Sequence, residues 1–270
     1  MSGVCSVENL CETASTHGAD TLALTDTNGL YGTIRFIEVA KRNKLKPILG
    51  AELVHEQHRA LLLVKTPEGY ANLCRLLSAR HCDAAFDVIS SVVRYARGLI
   101  VTSDDTTALT AWKRHRLRDL YVELTPGALM HQAVAFSRRT GLPPVATNRV
   151  HFIRHEQFHL HRVLRAIALN TTLSQLPHDA CCAPNHWFTS PTDMDIHYPH
   201  VPEALLNTRR IADCCYTDWN FKETIFPAFR QFSDMQAFAM LKQKTYAGAR
   251  QRYGTLLLAP GVDLGPGGHG

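Results

Sequence analysis

Three histidines, His151, His155 and His159, recur at four-residue spacing. On one helix that spacing stacks imidazoles along a single face, an arrangement that can bind zinc. Other polar groups collect just after short apolar runs. Asp26, Thr27, Asn28 and Gly29 follow Thr21–Thr25, and Glu52 lies inside Pro47–Val54 with His55 just beyond. Ser103, Asp104 and Asp105 follow Gly98–Thr102; Glu123 lies near the end of Leu120–Leu124; Asn148, Arg149, Val150 and His151 follow Pro144–Thr147. Each also has a plain structural use. Asp26 and Asn28 can cap a following helix, Gly29 gives a turn its freedom, and Glu52 can pair with a nearby lysine. For the histidine trio, Arg154 and the strand end at Thr147 put the helix start near His155, which favours a solvated helix face over a metal site.

The elements that must position these groups are legible from periodicity. The five runs above, with Ala60–Val64, read as six buried strands, and runs without strict alternation predict a parallel sheet covered on both faces. Amphipathic stretches lie between them. Ser6–His17 reads as a helix closed by Gly18, and Gly32–Asn43 and Thr107–His115 as further helices. Tyr70, Leu73, Leu76 and Leu77 form one helical stripe, and Leu129, Ala133 and Phe136 another. This alternation predicts an α/β barrel or a doubly wound sheet, with chemistry at the C-terminal ends of the strands. Beyond His151 only helices are expected, over Glu156–Leu169, Pro202–Cys215 (with Leu205, Ile211 and Cys215 on one face) and Met235–Tyr253.

The chain has 270 residues, 45% of them hydrophobic, enough for a real core in one large or two smaller domains. No apolar run reaches the roughly 18 residues of a membrane span, and the start shows no signal-peptide pattern, so a cytoplasmic address is expected. A formal charge of +5 is compatible with nucleic acid and equally with an ordinary surface. The eight cysteines form no Cys-x-x-Cys pair, and two pairs are adjacent in sequence, so they read as reduced thiols.

Five segments together resemble one family. Thr21-Leu-Ala-Leu-Thr-Asp-Thr-Asn-Gly-Leu-Tyr-Gly32, Lys46-Pro-Ile-Leu-Gly-Ala-Glu52, Glu68-Gly-Tyr-Ala-Asn-Leu-Cys-Arg-Leu76, Gly141-Leu-Pro-Pro-Val-Ala-Thr-Asn148 through His151, and Pro202-Glu-Ala-Leu-Leu-Asn-Thr208 through Ala212 appear in family order. They are similar to the PHP (polymerase and histidinol phosphatase) region of bacterial DNA polymerase III alpha subunits, including the error-prone branch. The resemblance implies a PHP-type distorted (β/α) barrel, here incomplete, followed by a helical extension: residues 6–151 as the barrel portion, 152–254 as the helical remainder and start of a polymerase linker, and 255–270 as a disordered tail. Intact members carry a polynuclear metal site at the strand ends and hydrolyse phosphoesters, so the resemblance is tested by its ligands.

The family's first-strand His-x-His pair has no counterpart in Met1–Leu10. Glu52, His81 and His151 match ligand positions, and Asp105, beside Asp104, offers oxygen where the family has cysteine or histidine. Two matched positions are degenerate: Thr27 replaces a histidine, and Arg149 replaces a carboxylate with a permanent positive charge. The implied reading is a polymerase III alpha PHP domain, in a DNA replication or repair context, without the polymerase palm and with a degenerate metal site. Its role would be structural or partner-docking. Its partners would be other polymerase III alpha domains or subunits, with DNA reached only through the holoenzyme and no membrane. No cofactor is expected unless residual ligands hold zinc, manganese or magnesium. Two alternatives are a metal-dependent phosphoesterase or 3′–5′ exonuclease using Glu52, His81, Asp105 and His151, and a non-functional gene fragment truncated at both ends. A further expectation is that Arg149 pairs with Glu52 or Asp26 across the pocket.

Overall fold

A computed structural model describes residues 3–177, 180–221 and 232–254. The expected tail over 255–270 lies outside the described residues. The chain divides into two compact units, Met1–Trp219 and Asn220–Gly270. In the second, α10 (Asp234–Tyr253) starts on a capping box between Ser233 and Gln236 and exposes Met235, Phe238 and Leu241.

The first unit is built on one six-stranded mixed sheet: β1 (Thr21–Thr27), β2 (Lys46–His55), β3 (His58–Val64), β4 (Leu99–Ser103), β5 (Leu120–Leu124) and β6 (Pro144–Ala146), paired in chain order. All six strands fall where the apolar runs place them. The wholly parallel sheet does not hold, because β3 runs antiparallel to both neighbours. A parallel crossover needs a dozen or more residues, and only Glu56 and Gln57 separate β2 from β3, with Glu56 at φ +51°. The sheet stays open, β1 and β6 being its edges. Gly3 and Val4 are not a strand of it, but the Val4 N–H donates to the His151 carbonyl at 2.8 Å.

The remaining connections are helical: α1 (Val7–Thr16) precedes β1, α2 (Thr33–Arg42) joins β1 to β2, α3 (Pro67–Cys82) and α4 (Val88–Tyr95) join β3 to β4, and α5 (Thr106–Arg114) and α6 (Met130–Thr140) join the last three strands. A 3-10 turn over His155–Gln157 leads into α7 (Phe158–Ala168); α8 (Pro191–His197) and α9 (Pro202–Cys214) follow. α4 and α8 were not expected: each is a short helix of two turns, too brief for periodicity to stand out. The family-like segment at Glu68–Leu76 has a packing reason. Gly69 lies so close to the Gly98 carbonyl that a Cβ would sit 1.8 Å from its oxygen, while Asn72 donates to the Arg97 carbonyl at 2.8 Å and Leu73, Leu76 and Leu77 are buried. The segment at Pro202–Thr208 covers a sheet edge. Asn207 and Thr208 of α9 donate to the Pro144 and Ala146 carbonyls of β6 at 2.8 and 2.9 Å, satisfying acceptors that an edge strand otherwise exposes.

The strands alternate between two faces. One carries Leu49, Leu53, Leu62, Val64, Leu99, Val101, Val122 and Leu124 into the main core under the helices. The other carries Ile48, Leu63, Ile100 and Val145 into a small core closed by Ile211 and Cys215 at α9. Leu205, expected beside Ile211, is only partly buried, and Ala204 and Asn207 take the buried places.

Candidate functional site

Period two decides what meets at the far end of the second face. Continuing Ile48, Leu63, Ile100 and Val145 by even steps brings Glu52, Arg59, Asp104 and Thr147 onto that face. Glu123 joins them, because Thr102 lies opposite Tyr121 in the register. Thr27 pairs with Glu52 across β1 and β2.

Arg59 is the centre of the group. Its Nε donates to Glu52 at 2.6 Å, and its Nη atoms contact Glu123 and, at 3.4 Å, Asp104. Arg149 closes the other side, reaching Asp104 at 2.5 Å and Glu123 at 3.1 Å. Thr27 donates to the second Glu52 oxygen at 2.7 Å, and Thr147 to Glu123 at 2.8 Å. Tyr198 donates to the Leu124 and Thr147 carbonyls at 2.6 and 2.9 Å, fixing the ends of β5 and β6. Arg149 takes the left-handed backbone region, φ +45°, an uncommon conformation for a residue with a Cβ.

The electrostatics follow from burial against pairing. The Glu123 side chain is 0% exposed. Burial pushes its carboxyl up, but Arg59, Arg149 and the Thr147 hydroxyl outweigh it and hold it at about 2. Glu52 balances the same way: burial raises it, and Arg59, Thr27 and Arg149 bring it below the usual carboxylate range. Burial alone would lower the Arg59 guanidinium, yet Glu123 and Glu52 raise it. Such a network is stable as a set and costly to break one member at a time, since a removed partner leaves a buried charge.

The predicted site residues do not converge on one point. Glu52 and Arg149 enter the network, but Arg149 pairs with Glu123 and Asp104, not with Glu52 or Asp26; Asp26 instead accepts from the Gly32 N–H at 2.8 Å. His81, at the end of α3, donates to the Asn28 carbonyl at 2.7 Å. Asp105 caps α5 through the Thr107 and Ala108 N–H groups and accepts from His58 at 2.6 Å. His151 stacks on His186, ring centroids 5.6 Å apart, and lies before the helical turn that His155 opens. Arg59 precedes the apolar run Ala60–Val64 and so falls outside the strand the sequence predicts. Its signal was a cation two residues before Leu61, on the face of Leu63. A cleft of about 620 Å³ between α1 and the 153–156 and 187–188 segments contains none of the network residues.

The donor set does not suit a polynuclear metal centre. A metal-ligating carboxylate must offer its lone pairs to the ion, and the oxygens of Glu52 and Glu123 already accept from guanidinium and hydroxyl groups. Two permanent cations occupy the space between the carboxylates.

The chain has relatives among known proteins. Residues 1–123 match the PHP domain family. The chain is 30% identical to an error-prone DNA polymerase of Symbiobacterium thermophilum over 95% of its length, which is 28% of the polymerase. It is 24% identical to a DNA polymerase III subunit alpha of Halalkalibacterium halodurans over 94% of its length and 25% of that protein. The chain thus spans about a quarter of the curated relatives it matches. Among solved structures, an amidohydrolase from Chromobacterium violaceum is 14% identical, with a TM-score of 0.39 over 54% of this chain and 82% of that one.

Proposed function

We propose that this chain, whose residues 1–123 match the PHP domain family, serves as a structural PHP module of a DNA polymerase III alpha-type protein, without phosphoester hydrolysis of its own. The observation that carries the reading is Arg59 lodged between Glu52 and Glu123, with Arg149 on the second side of Glu123. Metal-assisted hydrolysis needs a cation that polarises phosphate and acidifies water. A guanidinium clamps anions but cannot lower the pKa of a bound water in that way. What the arrangement does provide is rigidity: five charged side chains and two threonines tie β1 through β6 together at their open end. The role that follows is to hold neighbouring polymerase domains or a partner subunit in a replication or repair setting.

The test is hydrolysis of a phosphodiester, thymidine 5′-(p-nitrophenyl phosphate), whose nitrophenol stands in for the leaving 3′-oxygen, with manganese, zinc or magnesium added. The reading expects release of nitrophenol no faster than the metal-only control. Chelator-sensitive turnover that disappears in Glu52→Gln would replace this reading with the phosphoesterase one. No helix among the described residues is long and apolar enough to cross a membrane.

A further inference from the structure

We infer that His151, Cys182 and His186 form a binding site for a zinc-type transition metal, separate from the carboxylate network and independent of the structural reading above. One donor atom from each residue lies within 4.8 Å of the other two, and this is the metal-suited group among the described residues. Two imidazoles and a thiol are the ligand types that zinc and cobalt prefer over manganese, magnesium or calcium.

The backbone builds the site before any ion arrives. The His151 N–H donates to the His186 carbonyl at 2.8 Å, and the Phe188 N–H to the Phe152 carbonyl at 2.9 Å. Phe152 and Trp187 form a β-bridge, and Asn148 donates to the Trp187 carbonyl. These bonds hold the two histidines side by side with their rings 17° from parallel. Cys182 is anchored separately, its N–H donating to Nε2 of the buried His161 at 3.1 Å. His161 is thereby committed as an acceptor and is not a fourth ligand through that nitrogen.

A second observation points to a ligand. The Nδ1 of His186 is buried and has no hydrogen-bond partner among the described residues. A buried imidazole nitrogen left alone loses its water without compensation; an ion held through it supplies the missing partner. Tetrahedral zinc keeps nitrogen and sulfur donors at about 2.0–2.3 Å, hence roughly 3.3–3.8 Å from one another. From a spread of up to 4.8 Å, the donors must draw together by about 1 Å to reach that geometry. Binding through sulfur releases the thiol proton, and three protein ligands leave a fourth position for water. The nearby Arg149 charge is offset by Glu123 and Asp104. The ion would clasp the 182–186 segment to His151 in the stretch that follows β6.

The experiment is a cobalt(II) titration of the full chain, reduced and freed of metal by chelation. One equivalent should give near-ultraviolet thiolate-to-cobalt absorption with tetrahedral visible bands, both abolished by one equivalent of zinc. Cys182→Ser should remove the near-ultraviolet band, and His186→Ala should weaken binding roughly tenfold or more. Cys181→Ser and His81→Ala should leave spectrum and affinity unchanged. The wild-type spectrum decides the matter even where a variant fails to fold: no thiolate band at millimolar cobalt overturns the site. A band that survives in folded Cys182→Ser, or is lost in folded Cys181→Ser, overturns it as well.

Discussion

Arg59 is the partner that Glu52 and Glu123 share, so its loss strands two carboxylates at once. Arg59→Ala is expected to destabilise the first unit by roughly 3–5 kcal/mol in urea unfolding. Arg149→Ala should cost less, about 1.5–3 kcal/mol, because Glu123 keeps Arg59 and Asp104 is 45% exposed to water. Equal losses would mean the network has no centre. The pH dependence has a definite sign. Folded Glu123 titrates at about 2, below the unfolded value of about 4.3. Its stabilising contribution, ~3 kcal/mol, is present in full above about pH 5 and is lost as pH falls towards 2, with Glu52 moving in the same direction. Urea midpoints measured from pH 6 to pH 2.5 should therefore fall less steeply in Glu123→Gln than in the wild type; identical slopes would remove Glu123 from the account. Much of this end of the molecule was legible in the sequence. Asp104 and Arg149 stand just after strand ends, and Glu52 and Glu123 lie inside the C-terminal halves of β2 and β5. Their pairing was not legible, because pairing depends on the register of β3, and that register depends on a hairpin whose second strand begins at His58 rather than Ala60.

At the scale of elements, apolar runs located all six strands, since a buried strand leaves a compact signature that needs no partner to recognise. Strand direction was a different matter. The short Glu56–Gln57 connection was the clue that β3 turns back, and runs of apolar residues say nothing about polarity. α3 approaches the turn before β4 closely. Gly69 has no room for a Cβ, the obstacle being the Gly98 backbone, and Gly98 itself sits at φ +76°. Gly69→Ala should cost about 1–3 kcal/mol or force the 96–98 turn outward. Thermal unfolding checks this, and an unchanged midpoint would show that the turn yields freely. Gly141, which closes α6 at φ +69°, faces open space, so its substitution would report left-handed strain alone and provides the comparison.

For the molecule as a whole, the open sheet keeps its two ends chemically distinct. One end of the second face is closed by Ile48, Leu63, Ile100, Val145 and α9; the other is closed by charge. At the charged end Glu52, Arg59, Glu123, Arg149 and Asp104 form a set of ion pairs. The most direct measurement is electron paramagnetic resonance of manganese(II) titrated into the full chain at neutral pH. Manganese prefers oxygen donors and reports on the carboxylates rather than on the thiol-bearing cluster. The account predicts that the six-line signal of free manganese grows from the first addition, with no tight binding by wild-type protein. One or more manganese ions bound tightly per chain, and released by Glu52→Gln, would contradict it.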